Sequence, residues 1–195
     1  MTDRDRARRR FVRLGVAGMA ALLVPGRGNA APAETRVLAL RSLHTGEFVR
    51  ATFWAAGRYL GEGLSQIDRL LRDHRTNDVH PIDRRLLSLL DDLHGRLDTR
   101  EPFEVISGYR SPATNATLVS TTSGVSPTSL HVVGMAIDIR VPGRPLRAVR
   151  DIAMGLRAGG VGYYPDSDFV HVDVGRVRSW SHSADPPGAS VPVDG

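Results

Sequence analysis

The sequence predicts one α+β domain over residues 34–182. Three observations carry this. The apolar residues switch between alternating and helical spacing along the chain. Turn-forming clusters separate those stretches. No internal repeat or membrane-length apolar run interrupts them, and 195 residues is about one domain's worth of chain.

The elements follow in order. Arg36–Leu43 alternates as a strand, His44-Thr45-Gly46-Glu47 turns the chain, and Phe48–Phe53 is a second strand. Leu64, Ile67, Leu70 and Leu71 recur at helical spacing and predict a helix near 62–74. Ile82, Leu86, Leu87, Leu89, Leu90, Leu93 and Leu97 form the wide apolar face of a second helix, with Asp83 as its N-cap. Phe103–Ser107 is a strand, and Ser111-Pro112 opens a helix with serine as cap and proline in the first turn. The Ser/Thr/Gly/Pro-rich stretch Ser120–Ser129 is a loop. Met135–Val141 reads as a strand, Leu146–Ala158 as a helix, and Gly162–Tyr164 and Phe169–Val174 as a closing pair of strands. The tail from 183 to 195, rich in Pro, Gly and Ala, is expected to be disordered.

Charge and composition narrow the function. All 26 basic residues are arginine, and the net charge is +5. Seven of those arginines and two of the 21 acidic residues fall in residues 1–33, leaving 19 of each sign in the remainder. The basicity therefore belongs to the N-terminal segment, and a nucleic-acid partner for the domain loses its support. The absence of cysteine excludes a disulfide framework, a thiolate metal site, a cysteine nucleophile and a lipoprotein anchor. Residues 1–33 themselves read as an export signal. Arg8-Arg9-Arg10-Phe11-Val12-Arg13 precedes an uncharged run from Leu14 to Val24, and small residues offer cleavage after Ala30 or Ala33. Arg8-Arg9 before a mild Ala/Gly-rich core resembles a twin-arginine signal. The run is too short to span a bilayer, so no stable membrane span is expected after its removal.

Three polar side chains stand out. His131 ends the polar loop, Asp138 lies within Ala136-Ile137-Asp138-Ile139, and His171 within Phe169-Val170-His171-Val172. A carboxylate between two isoleucines is costly to bury unless paired or bound to a metal. Two imidazoles and one carboxylate make a three-ligand zinc site with one open position. Gly134 would let the chain turn tightly enough for His131 and Asp138 to converge. The competing reading makes each a hydrogen-bonded core polar residue.

Ser129-Leu130-His131-Val132-Val133-Gly134-Met135-Ala136-Ile137-Asp138 matches the S-x-H-x-x-G-x-A-x-D motif at all five fixed positions. The chain thereby resembles the M15-type zinc peptidases, which share a fold with the hedgehog signalling domain. Leu43–Glu47, Ile106–Ser111, Gly160–Pro165, Phe169–Asp173 and Arg176–Trp180 resemble one branch of that group, the murein endopeptidases of the MepK (YcbK) type. The resemblance covers nearly all of residues 36–180. It implies a small antiparallel sheet carrying a zinc site and flanked by helices. It implies one Zn²⁺ held by His131, Asp138 and His171, with peptidoglycan stem peptides as substrate in the periplasm or cell envelope.

Carried over by the same resemblance, Arg110 would contact substrate near the scissile carbonyl, stabilising an oxyanion or binding a carboxylate bidentately. A structural salt bridge is its alternative. The catalytic base is where the pattern departs, because the glutamate expected three residues before the last histidine is Asp168. Asp173, two residues after His171 and on the same strand face, competes for that role or orients a ligand imidazole. His182 would approach as a proton donor or stay solvated. His44 matches the family segment without a derivable role, and His74, His80 and His94 are given none. A D,D- or L,D-carboxypeptidase of the envelope and a non-catalytic zinc-containing binding module are the alternative functions.

Overall fold

The computed structural model describes residues 34–122 and 125–182. The export segment, the tail and residues 123–124 of the polar loop lie outside them.

Strand β1 (Thr35–Ser42) and strand β2 (Phe48–Ala55) form a hairpin closed by Ser42 N–H to Glu47 O at 2.9 Å. A two-residue strand β3 (Arg58–Tyr59) adds to β2. Helix α1 (Gly61–Leu70) ends four residues short of the expected end at 74. There Asp73 accepts the backbone N–H of Arg75 at 2.9 Å, and the Leu71 carbonyl accepts Tyr109 N–H at 2.8 Å. Such side-chain-to-backbone bonding competes with helix continuation. Helix α2 (Arg84–Leu97) starts at Asp83, whose carboxylate accepts Arg85 N–H at 2.8 Å, and buries Leu86, Leu87, Leu89, Leu90, Leu93 and Leu97. Strand β4 (Phe103–Ser107) follows, then helix α3 (Pro112–Thr121), capped by Ser111 onto Thr114 N–H.

The polar loop ends in a single 3₁₀ turn, Leu130–Val133. Strand β5 (Ala136–Arg140), helix α4 (Leu146–Leu156), strand β6 (Gly160–Tyr164) and strand β7 (Phe169–Asp173) come next. A final strand β8 (Arg178–Ser181) was not anticipated, because Arg-Ser-Trp-Ser lacks an apolar alternation.

The sheet corrects the expected one. It has eight strands in the order β3-β2-β1-β4-β5-β7-β6-β8, so it is not small. It is also mixed, since β1/β4 and β6/β8 pair in parallel while the other neighbours are antiparallel. Helices α2 and α4 pack on each other and against the sheet. Alternation then sorts the central strands. Ile137 and Ile139 of β5 and Val170 and Val172 of β7 are buried in the core. Asp138, His171 and Asp173 stand on the opposite face.

Candidate metal centre

Register assembles the site as one row across five strands. Ser107 of β4 pairs with Asp138 of β5, and Asp138 pairs with His171 of β7. His171 in turn pairs with Gly162 of β6, and Gly162 with Trp180 of β8. Each row member faces the same side, so residues distant in the chain become lateral neighbours. Gly162 is the gap in the row: a Cβ there would lie 2.6 Å from the Trp180 indole. The indole settles over that gap with its ring centroid 5.2 Å from that of His171.

His131 enters from the 3₁₀ turn. Gly134 ends that turn in the left-handed region at φ 66°, where a Cβ would meet the Pro81 carbonyl at 2.6 Å. The tight reversal inferred from the sequence is therefore present, and it aims His131 back at β5.

His131, Asp138 and His171 converge and are buried. His131 Nε2 lies 3.2 Å from His171 Nδ1 and 3.3 Å from Asp138 Oδ1. His171 Nδ1 lies 2.9 Å from the same carboxylate oxygen. The outer ring nitrogens set the tautomers. His131 Nδ1 faces the Gly108 carbonyl at 2.7 Å, which can only accept, so the proton is on Nδ1. His171 Nε2 faces the Asp173 carboxylate at 3.1 Å and carries its proton there. Three lone pairs are left pointing at one another with no hydrogen between them. A cation is the group that relieves such a triangle, and two imidazole nitrogens with a carboxylate oxygen are a donor set zinc accepts.

The electrostatics agree. Burial costs Asp138, yet the adjoining imidazoles hold its carboxyl below the usual carboxylate range. Burial lowers the His131 pKa, keeping that imidazole neutral as a ligand must be. At His171 burial also opposes charge, but the acceptor carboxylates of Asp138 and Asp173 outweigh it and raise the pKa. A negative field that favours a proton on His171 favours a metal ion in its place.

The remaining predicted residues fall differently. Arg110 does reach the site, but through Asp138: its Nη2 donates to Asp138 Oδ2 at 2.6 Å and its Nε to Ser107 Oγ at 2.9 Å. That is the salt-bridge alternative, and Arg110 also lines the cleft. Asp173 is fully buried and its oxygens are engaged. It accepts from His171, from the N–H groups of Gly160 (2.9 Å) and Gly175 (2.8 Å), and from Arg178 at 2.8 Å. Those donors, against the cost of burial, keep its pKa low. Asp168 is not brought to the site. It sits in the β6–β7 turn at φ 53°, its side chain 61% exposed, 2.8 Å from Arg140, which also binds Glu104. Neither aspartate lines the cleft above the three donors.

That cleft encloses about 800 Å³ and is walled by Tyr164, Trp180 and His182 on the β6–β8 side, with His44 and Arg75 contributing from other loops. Tyr164 accepts the Trp180 indole N–H at 2.9 Å, and its ring lies 5.8 Å from that of His182. Sequence reasoning left β8 out of the sheet and so missed Trp180 as a wall. The aromatic residue at the end of the Arg176–Trp180 segment was the available signal.

A mixed sheet carrying a buried His-Asp-His donor triangle under an open cleft is an arrangement that could hold a metal ion, as metallopeptidases do. Comparison with known proteins narrows the class. The peptidase M15 family model described as "Peptidoglycan L,D-endopeptidase MepK" matches residues 30–180, and the chain belongs to that family. It is 41% identical over 178 residues to the peptidoglycan L,D-endopeptidase MepK of Escherichia coli (strain K12), covering 90% of this chain and 98% of the relative. It is 39% identical over 179 residues to the probable peptidoglycan L,D-endopeptidase MepK of Haemophilus influenzae, covering 90% and 96%.

Proposed function

We propose that this protein is a zinc-dependent peptidoglycan endopeptidase of the cell envelope, hydrolysing L,D peptide bonds in the cross-links between stem peptides. The observation that carries it is the triangle of unshared lone pairs on His131, Asp138 and His171 at the floor of an open cleft. Family membership supports the chemistry and the substrate. Residues 1–33 would deliver the enzyme by the twin-arginine route, residues 34–182 would form the peptidase domain, and 183–195 a tail. Among the described residues no helix is long and apolar enough to cross a membrane.

When bound, zinc supplies Lewis acidity for the scissile carbonyl and for water at the site. The protein's residues do the rest. The Gly108 carbonyl holds the His131 proton on Nδ1, and Asp173 holds the His171 proton on Nε2, so each imidazole presents its other nitrogen. Arg110 and Ser107 fix Asp138 in the same way. Proton transfer falls to an imidazole rather than to Asp168 or Asp173. Of the two further imidazoles lining the cleft, His44 is stacked on His74, and His182 beside Tyr164 would take this role. Arg110, which lines the cleft, would contact the substrate from there.

One observation favours a second reading. Among the described residues Asp138 is the one carboxylate lining the cleft, so a binding module lacking a carboxylate base would look similar. One experiment separates the two. Bound zinc is quantified and purified peptidoglycan is digested with wild type, Asp138→Ala and His182→Gln. About one zinc in wild type and His182→Gln, and none in Asp138→Ala, is expected. Cross-linked dimers should fall to monomers with wild type, more slowly by about 10²-fold or more with His182→Gln, and not at all with Asp138→Ala. Zinc-loaded wild type that leaves every muropeptide intact would establish the binding module. Release of terminal residues without loss of dimers would establish a carboxypeptidase.

A further inference from the structure

Arginines outnumber carboxylates along the cleft. Four arginines line it, Arg75, Arg110, Arg176 and Arg178. Two are neutralised, Arg110 by Asp138 at 2.6 Å and Arg178 by Asp173 at 2.8 Å. The side chains of Arg75 and Arg176 are exposed, and neither has a carboxylate or hydrogen-bond partner among the described residues. This is a local property, because residues 34–195 hold equal numbers of arginines and acidic residues.

The two arginines come from separate segments, and each is braced by its backbone. Arg75 follows Asp73, whose carboxylate takes the Arg75 N–H and both the N–H and hydroxyl of Ser111 at the start of α3. Arg176 lies between β7 and β8, where its carbonyl accepts Arg178 Nη1 at 3.0 Å. Unneutralised charge within a concave, partly desolvated surface focuses field and concentrates anions there. Guanidinium is the side chain suited to planar, bidentate recognition of a carboxylate.

We propose that Arg75 and Arg176 form a carboxylate-reading pair that selects substrate peptides by their free carboxylates. Resting on the endopeptidase reading, this makes specificity electrostatic: acidic stem peptides are held at both arginines, and amidated ones are discriminated against. A side-chain carboxylate and a C-terminal carboxylate share the needed chemistry, so the test must tell them apart.

A linear stem peptide, which has no cross-link to cut, is titrated calorimetrically into the purified protein in three forms. These are the free acid, the side-chain amide and the C-terminal amide. The free acid should bind about tenfold more tightly than at least one amide, and that amide names the carboxylate read. Arg75→Gln and Arg176→Gln should each reduce the preference to near unity, and raising salt should weaken free-acid binding in wild type. Both positions are exposed, so circular dichroism is expected to be unchanged. Equal affinity for all three forms, or a wild-type preference retained by either variant, overturns the proposal. Cleavage of cross-linked muropeptides is followed in parallel. If wild type cuts nothing, the endopeptidase reading fails while the binding titration still decides the carboxylate pair.

Discussion

The two faces of the β5–β7 pair use the same alternation for opposite ends. On one face Ile137 opposes Val172 and Ile139 opposes Val170, all fully buried. On the other, Asp138 opposes His171 and Ala136 opposes Asp173. The apolar face needs only volume and apolarity, so any residues of similar size would fill it. The polar face needs particular atoms at particular distances, because each buried donor or acceptor must find a partner. Hence stability and chemistry sit one residue apart along each strand and separate cleanly on mutation.

The largest expected effect breaks the apolar face. Ile137→Ala should destabilise the fold by about 2–5 kcal/mol in denaturant unfolding, since the cavity adds to the lost transfer energy. Protein that remains folded should still bind one equivalent of zinc. Loss of zinc in that folded fraction would mean that the two faces are not separable.

The next effect loosens the polar face without emptying it. Asp173→Asn keeps the shape but removes the charge that orients His171 and balances Arg178. Zinc affinity should fall by about 10–100-fold in a competitive chelator titration. An unchanged affinity would make Asp173 a fold residue only.

Acid sharpens the comparison through a buried carboxylate away from the site. Asp73 is 1% exposed, and its pKa lies well below the carboxylate range. Burial opposes this, but hydrogen bonds from Thr114, Ser111 and Arg75 prevail. The folded pKa being the lower one, the unfolded chain binds the extra proton. Stability is therefore full above about pH 4 and declines as pH falls below it, by at most about 1.4 kcal/mol per unit from this group. Asp73→Asn should flatten that acid limb in unfolding curves taken from pH 5 downward.

The smallest effect is at Asp168. Its pairing with Arg140 is exposed, so Asp168→Asn should change stability by less than about 1 kcal/mol. Peptidoglycan cleavage should stay near the wild-type rate. A loss of cleavage comparable to that of His182→Gln would return the base to Asp168.

Much of the fold was legible locally. The helix caps Asp83 and Ser111, the apolar face of α2 and the alternation of β1, β5 and β7 all express short-range preferences that tertiary packing reinforces. The donor triangle was legible too, because a carboxylate and an imidazole embedded among isoleucine and valine need an explanation wherever they fold. What failed was long-range. The parallel addition of β8 to β6 has no periodic signal in Arg-Ser-Trp-Ser, and it decided the cleft wall. Asp168 and Asp173 looked equivalent as bases because both lie within three residues of His171. Only the sheet register, together with the donors of Gly160, Gly175 and Arg178, turned one inward to hold an imidazole. The turn turned the other outward to Arg140.

By itself, then, the amino-acid order determined most of the strands and helices, where the N-terminal charge resides and which three side chains are ligand candidates. Those properties depend on neighbours a few residues away. Tertiary structure alone decided the eight-strand order, the row from Ser107 to Trp180, the saturation of Asp173 and the two cleft arginines that meet no carboxylate among the described residues. Each of these is a contact between residues remote in sequence, and such contacts are set by which strands pair and in what register.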